Sequence, residues 1–149
     1  MHKIQFDLIL DEKSIQEEET GLYIEGYATT FGNIDRDGEI HEKDIQALKK
    51  AMDDYMATNP IVLVEHGKHP VIGKTPFGHL VSYTIDHIGI RVKAYLEKPV
   101  WEPVLEYYNK IKSGTVRTFS ISAMFEKFAN GVIKAREVIE TTVTSVPAN

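Results

Sequence analysis

The stretch Thr115-Val116-Arg117-Thr118-Phe119-Ser120-Ile121-Ser122-Ala123-Met124-Phe125-Glu126 alternates in character. Phe119, Ile121, Ala123 and Phe125 fall on one face of an extended chain. Thr118, Ser120, Ser122 and Met124 fall on the other. A period of two with aromatic and branched residues predicts a half-buried strand. Its apolar face anchors the strand in a core, and its other face presents two serines. A serine on a rigid strand is well placed as a nucleophile, because its position does not depend on a mobile loop. Serine and threonine also commonly fill the solvent face of strands, so the strand alone does not assign a function.

Working outward, Gly114 predicts the end of a helix over Pro99–Ser113, with Pro99 and Pro103 at its start. Val100, Val104, Leu105, Tyr108 and Ile111 form its expected buried stripe, flanked by Trp101. After the serine strand, Ala129-Asn130-Gly131 predicts a hairpin turn, and Ile133–Val146 a long final strand. A second helix is predicted over Glu42–Thr58, with Ile45, Leu48, Met52, Tyr55 and Met56 on one face and Asn59-Pro60 closing it. Further strands are expected over Met1–Leu10, Gly21–Thr30 (weakened or bulged at Gly26), Ile61–His66, Val71–Gly73, Gly78–Asp86 and Ile88–Glu97. Asp11–Thr20 reads as a charged loop or turn. Asp86-His87-Ile88-Gly89 reads as a hairpin turn. The expected fold is α+β: one mainly antiparallel, barrel-like curved sheet with flanking helices, as a single domain over 1–149.

Composition narrows the function. The net charge of −5 argues against general nucleic-acid binding, which requires a basic surface. The chain contains no cysteine, so disulfides, thiolate catalysis and cysteine zinc sites are excluded, and an intracellular setting fits better than a secreted one. Ile4–Leu10 is interrupted by Gln5 and Asp7, unlike a signal peptide, and no apolar run approaches the ~20 residues that span a membrane. Asp35, Asp37 and Gly38 match part of a calcium loop, but the remaining acidic ligands are missing, and turn formation accounts for them.

A serine hydroxyl needs a base, and the base usually needs a third group to hold its tautomer. Of the six histidines, His66 closes a short apolar strand where a scaffold could aim it. His2 and His41 lie near a terminus and a loop, and His87 at a hairpin tip. His66, His69 and His79, with Glu65 nearby, could supply metal ligands, but their spacing fits no strong zinc signature.

Four segments in order resemble the prohead (head maturation) serine proteases of tailed bacteriophages, relatives of the herpesvirus assemblins. They are Gly26-Tyr27-Ala28-Thr29-Thr30-Phe31-Gly32-Asn33-Ile34-Asp35 with Gly38; Val62–His66 followed by Pro70-Val71-Ile72-Gly73; Ile111–Gly114 followed by Phe119-Ser120-Ile121; and Ile139-Glu140 through Val146-Pro147-Ala148-Asn149. The resemblance implies an assemblin-like fold and a serine endopeptidase with Ser120 as nucleophile, His66 as general base and Glu140 as an acidic group orienting His66. His69, His79 and His87 remain rivals for the third role, since assemblins use a second histidine there. No cofactor or metal is implied. Gly67 departs from the aspartate common after the histidine, and Ser122 from the glycine common after Ser-Ile. The implied substrates are the major capsid protein, its scaffolding segment and the protease's own tail, cut inside the assembling prohead in the bacterial host cytoplasm. A homodimer or higher oligomer is implied, with neither nucleic acid nor membrane as partner. Because family members usually continue beyond Pro147-Ala148-Asn149, the chain is expected to be a truncated or self-processed core. The alternative is a catalytically inactive capsid-assembly or scaffold-binding module of the same fold.

Overall fold

The computed structural model describes residues 2–7, 15–30, 40–41, 45–127 and 132–145. Its strands are β1 (His2–Asp7), β2 (Ile15–Glu18), β3 (Gly21–Thr30), β4 (Ile40–His41), β5 (Ile61–Val64), β6 (Gly78–Ile85), β7 (Gly89–Glu97), β8 (Thr118–Lys127) and β9 (Val132–Thr144). Two helices, α1 (Ile45–Thr58) and α2 (Glu102–Lys112), interrupt them. The strands join in one sheet in the order β1-β8-β9-β5-β6-β7-β3-β2, with β4 beside β9 off that path. Pairing is antiparallel except where β9 runs parallel to β5 and to β4. β1 and β8 also approach β3, which curls the sheet into a half-barrel. The α+β, mostly antiparallel curved sheet expected from the sequence is therefore the fold.

The sequence of β5, Ile61-Val62-Leu63-Val64, has no polar alternate, and the structure shows why. This strand lies inside the sheet between β9 and β6, and Val62, Leu63 and Val64 are all buried. On α1 the buried face is Leu48, Ala51, Met52 and Tyr55, while Ile45 is exposed. On α2, Val104, Tyr108 and Ile111 are buried, and each of the two aliphatic side chains contributes about 1.5–3 kcal/mol on leaving water. Gly114, at φ +80°, follows the helix in the left-handed conformation that ends it without a Cβ penalty.

Several local expectations are corrected. Val100 is almost fully exposed, because α2 begins only at Glu102 and Val100 lies in the proline-flanked approach. Val71–Gly73 is a turn and not a strand. The imidazole Nδ1 of His69 accepts hydrogen bonds from the backbone N–H groups of Val71 (3.1 Å) and Ile72 (3.0 Å), and Gly73 takes φ +58°. The acidic segment before Gly21 contributes an edge strand, β2, hairpin-paired to β3 with Glu17 opposite Leu22. Charged side chains on such an edge discourage pairing with other chains. The irregularity in β3 falls between Tyr27 and Thr29; Gly26 keeps its place opposite Val92. The expected turns at 35–38 and 129–131, and the closing segment 146–149, lie outside the described residues. Among the described residues no helix is long and apolar enough to cross a membrane.

The face of β8 read as solvent-facing is buried. Ser120 is 0% exposed, Ser122 3% and Thr118 6%. The alternation correctly separated two faces. It could not tell that both would be covered, because the second cover is a turn from distant sequence.

Tyr55 ties α1 to the sheet. Its phenol donates to the Ile61 carbonyl (2.5 Å) and accepts the Thr141 N–H (3.0 Å). Burial pushes its pKa up to about 12. The folded state therefore disfavours the phenolate. The resulting stability is complete below the ordinary phenol pKa of about 10 and is lost as pH rises from about 10 to about 12, to the extent of about 3 kcal/mol. Tyr55→Phe is expected to lessen this alkaline loss and to cost about 1–3 kcal/mol at pH 7, where two backbone groups lose a buried partner. Urea unfolding of both proteins at pH 7 and pH 11 checks this; equal pH dependence in the two would refute it.

Candidate active site

β5 delivers the chain to a turn whose backbone is left-handed at three successive residues: Glu65 (φ 50°), His66 (φ 57°) and Gly67 (φ 73°). For residues with a Cβ this conformation costs about 1–2 kcal/mol each, so the surroundings must hold it. Three contacts do so. Thr142 Oγ1 accepts the His66 N–H (2.9 Å) while donating to the Leu63 carbonyl (2.8 Å). A carboxylate oxygen of Glu65 accepts the Ser145 N–H (2.6 Å). The Lys68 N–H closes the turn on the Glu65 carbonyl (2.9 Å). The departure at Gly67 now has a reason. A glycine relieves the third left-handed position, and an added Cβ would meet Lys74 Cγ at 3.1 Å.

The turn lays the His66 ring on the hydroxyl face of β8 and β9. In the ladder Ser120 lies opposite Thr142, and Ser122 opposite Glu140. One step further the register shifts, so that Ile139 is an extra residue on β9. Bulges of this kind re-aim neighbouring side chains and recur beside active sites. His66 Nδ1 lies 2.5 Å from Glu140 Oε1. Ser122 Oγ lies 3.0 Å from both of those atoms. The side chains of His66 and Glu140 are only 6% and 10% exposed.

A buried carboxylate demands a partner, and an ionised one can only accept. Glu140 therefore draws the imidazole proton to Nδ1, which leaves Nε2 as the basic nitrogen. Nε2 is buried and has no hydrogen-bond partner among the described residues. A buried nitrogen without a partner is uncommon and points to a chemical role. The arrangement can accept a proton at Nε2 and stabilise the resulting imidazolium through Glu140.

The caudovirus prohead serine protease family matches residues 9–149. The chain belongs to that family. The protease is accordingly a serine endopeptidase of capsid maturation. Its fold is similar to that of the capsid assembly protease of bacteriophage T4, gp21, with a TM-score of 0.71 over 98% of this chain and 97% of that one at 13% identity. No curated protein matches the chain.

Of the residues singled out in the sequence, the protease brings His66 and Glu140 into contact. Ser120 sits on the same strand face as Ser122, two positions along and wholly buried. His69 serves its own turn and meets Tyr107 edge-on at 5.6 Å between ring centres, and His79 packs against Tyr95 at 5.8 Å. His87 lies in the β6–β7 turn, where the Asp86 carboxylate accepts the Ile88 and Gly89 N–H groups. Among the described residues no group of acids and histidines is assembled to hold a metal ion. Sequence reasoning missed Thr142 and Glu65, which hold the histidine turn. No local motif marks them, since their partners are 79 and 80 residues away.

Proposed function

We propose that the protease cuts peptide bonds with Ser120 as nucleophile, His66 as general base and Glu140 as the group that orients His66. The observation that carries this reading is the 2.5 Å Glu140–His66 Nδ1 contact with Nε2 left unpartnered. In the acylation step Ser120 Oγ bonds to the peptide carbonyl carbon as its proton passes to His66 Nε2. The C–N bond then breaks, and the leaving amine takes that proton. A water then attacks the acyl carbon, giving its proton to Nε2; the ester C–Oγ bond breaks, Nε2 returns the proton to Ser120 Oγ, and the carboxylic acid product leaves. Glu140 remains a carboxylate throughout. Because Ser120 is wholly buried, acylation requires its hydroxyl to become exposed.

The 3.0 Å Ser122–His66 contact favours a second reading, with Ser122 as nucleophile. That contact is to Nδ1, the nitrogen Glu140 also touches, so Ser122 could yield its proton there only if Nδ1 carried none. The first reading avoids that conflict. Reaction with a fluorophosphonate followed by peptide mapping separates the two. An adduct on Ser120 supports the first, and an adduct on Ser122 the second.

The substrates in this reading are the capsid protein precursor with its scaffolding segment, any separate scaffold, and the protease's own chain, all cut inside the assembling prohead. The working form is a homodimer or higher oligomer. Light scattering at assay concentration tests this, and a fully active monomer would overturn it.

A further inference from the structure

We infer that Ser122 is a positioning residue for the Glu140–His66 pair, acting on the ring and not on the substrate. The inference rests on the reading that Ser120 is the nucleophile and His66 Nε2 the base. Ser122 Oγ stands 3.0 Å from Glu140 Oε1 and 3.0 Å from His66 Nδ1. Its hydroxyl proton is donated to the carboxylate, the only one of the two that must accept. Its oxygen then faces the Nδ1–H and accepts a share of it. A single Nδ1–H···Oε1 contact leaves the imidazole free to swing about that line. A second acceptor on the same N–H restricts this swing and so fixes where Nε2 points.

The placement of Ser122 is itself rigid. It lies directly across the ladder from Glu140, one step before the Ile139 bulge, and is 3% exposed, so bulk water does not compete for its contacts. A glycine, the residue common at this position in the resembled sequences, would leave the pair without this third member. The serine here thus takes on a role that a glycine cannot perform.

The test uses the full chain with its capsid precursor and compares wild type, Ser122→Ala, Ser122→Gly and Ser122→Thr. Removing one hydrogen-bonding hydroxyl is expected to lower kcat by about tenfold, equivalent to about 1.4 kcal/mol of transition-state stabilisation, with KM unchanged. Ser122→Thr, which keeps the hydroxyl, is expected to recover most of the loss. The low-field proton resonance of the His66 Nδ1–H, assigned by its absence in His66→Ala, is expected to shift and to exchange faster with water in Ser122→Ala. If Ser122→Ala does not fold, Ser122→Gly is judged by the same two readouts. Unchanged kcat with an unchanged resonance overturns the inference, as does a loss that threonine fails to restore. Failure of the underlying reading looks different: the fluorophosphonate adduct maps to Ser122, and Ser122→Ala abolishes cleavage while Ser120→Ala retains it.

Discussion

Ser120→Ala is expected to leave the capsid precursor uncut when the two are co-expressed, with a rate loss of about 10⁴-fold or more. Without the Oγ no acyl-enzyme forms, and the His66–Glu140 pair has only water to activate. The fold should survive. Ser120 and Ala differ by one hydroxyl, and the apolar contacts that hold β8 come from Phe119 and Ile121 on the opposite face, 0% and 2% exposed. Intact mass of the precursor and of the protease itself reads the result. Processing by wild type alone confirms the nucleophile and makes the cut sites readable. Processing by both proteins would remove Ser120 from the mechanism and turn attention to Ser122.

The second large effect is expected from Glu140→Gln, about 10⁴-fold in kcat with little change in KM. Glutamine matches the shape of Glu140 but carries no charge. Its amide can donate toward Nδ1 as readily as its carbonyl can accept, so Nδ1 is no longer obliged to hold the proton. With the proton on Nε2, His66 cannot take one from a serine. The imidazolium also loses its counter-charge within a site that is 10% exposed at residue 140. Single-turnover cleavage of a precursor-derived peptide by the folded variant checks this. A loss below tenfold would remove Glu140 as the orienting group.

Much of the fold was legible because its signals are local. The alternation through β8, the apolar run of β5 and the 3.6-residue stripe of α1 each arise from neighbours in sequence. The misreadings arose where a neighbouring residue or an edge position overrode composition. Val100 looked like part of a buried stripe, but two prolines delay the helix to Glu102. Glu17 and Glu18 looked like loop residues, yet they lie on an edge strand whose residues after Ile15 are exposed on both faces, where charge is tolerated. Val71 and Ile72 have strand composition, but the His69 ring captures their N–H groups and bends the chain into a turn.

The site divides in the same way. His66 and Ser120 were singled out by residue type, strand context and family resemblance, and Glu140 by resemblance alone. The sequence by itself determined the family, the strand that carries the serines and the strand that leads to the histidine, since periodicity and motif order are properties of the chain. Only the tertiary structure decided that Glu140 reaches His66, that Ser122 joins them and that Thr142 and Glu65 hold the histidine in a left-handed turn. Those contacts depend on β9 running parallel to β5 and antiparallel to β8 in one particular register. A slip of one residue would turn Glu140 and Thr142 to the opposite face, and no short window of sequence encodes that alignment.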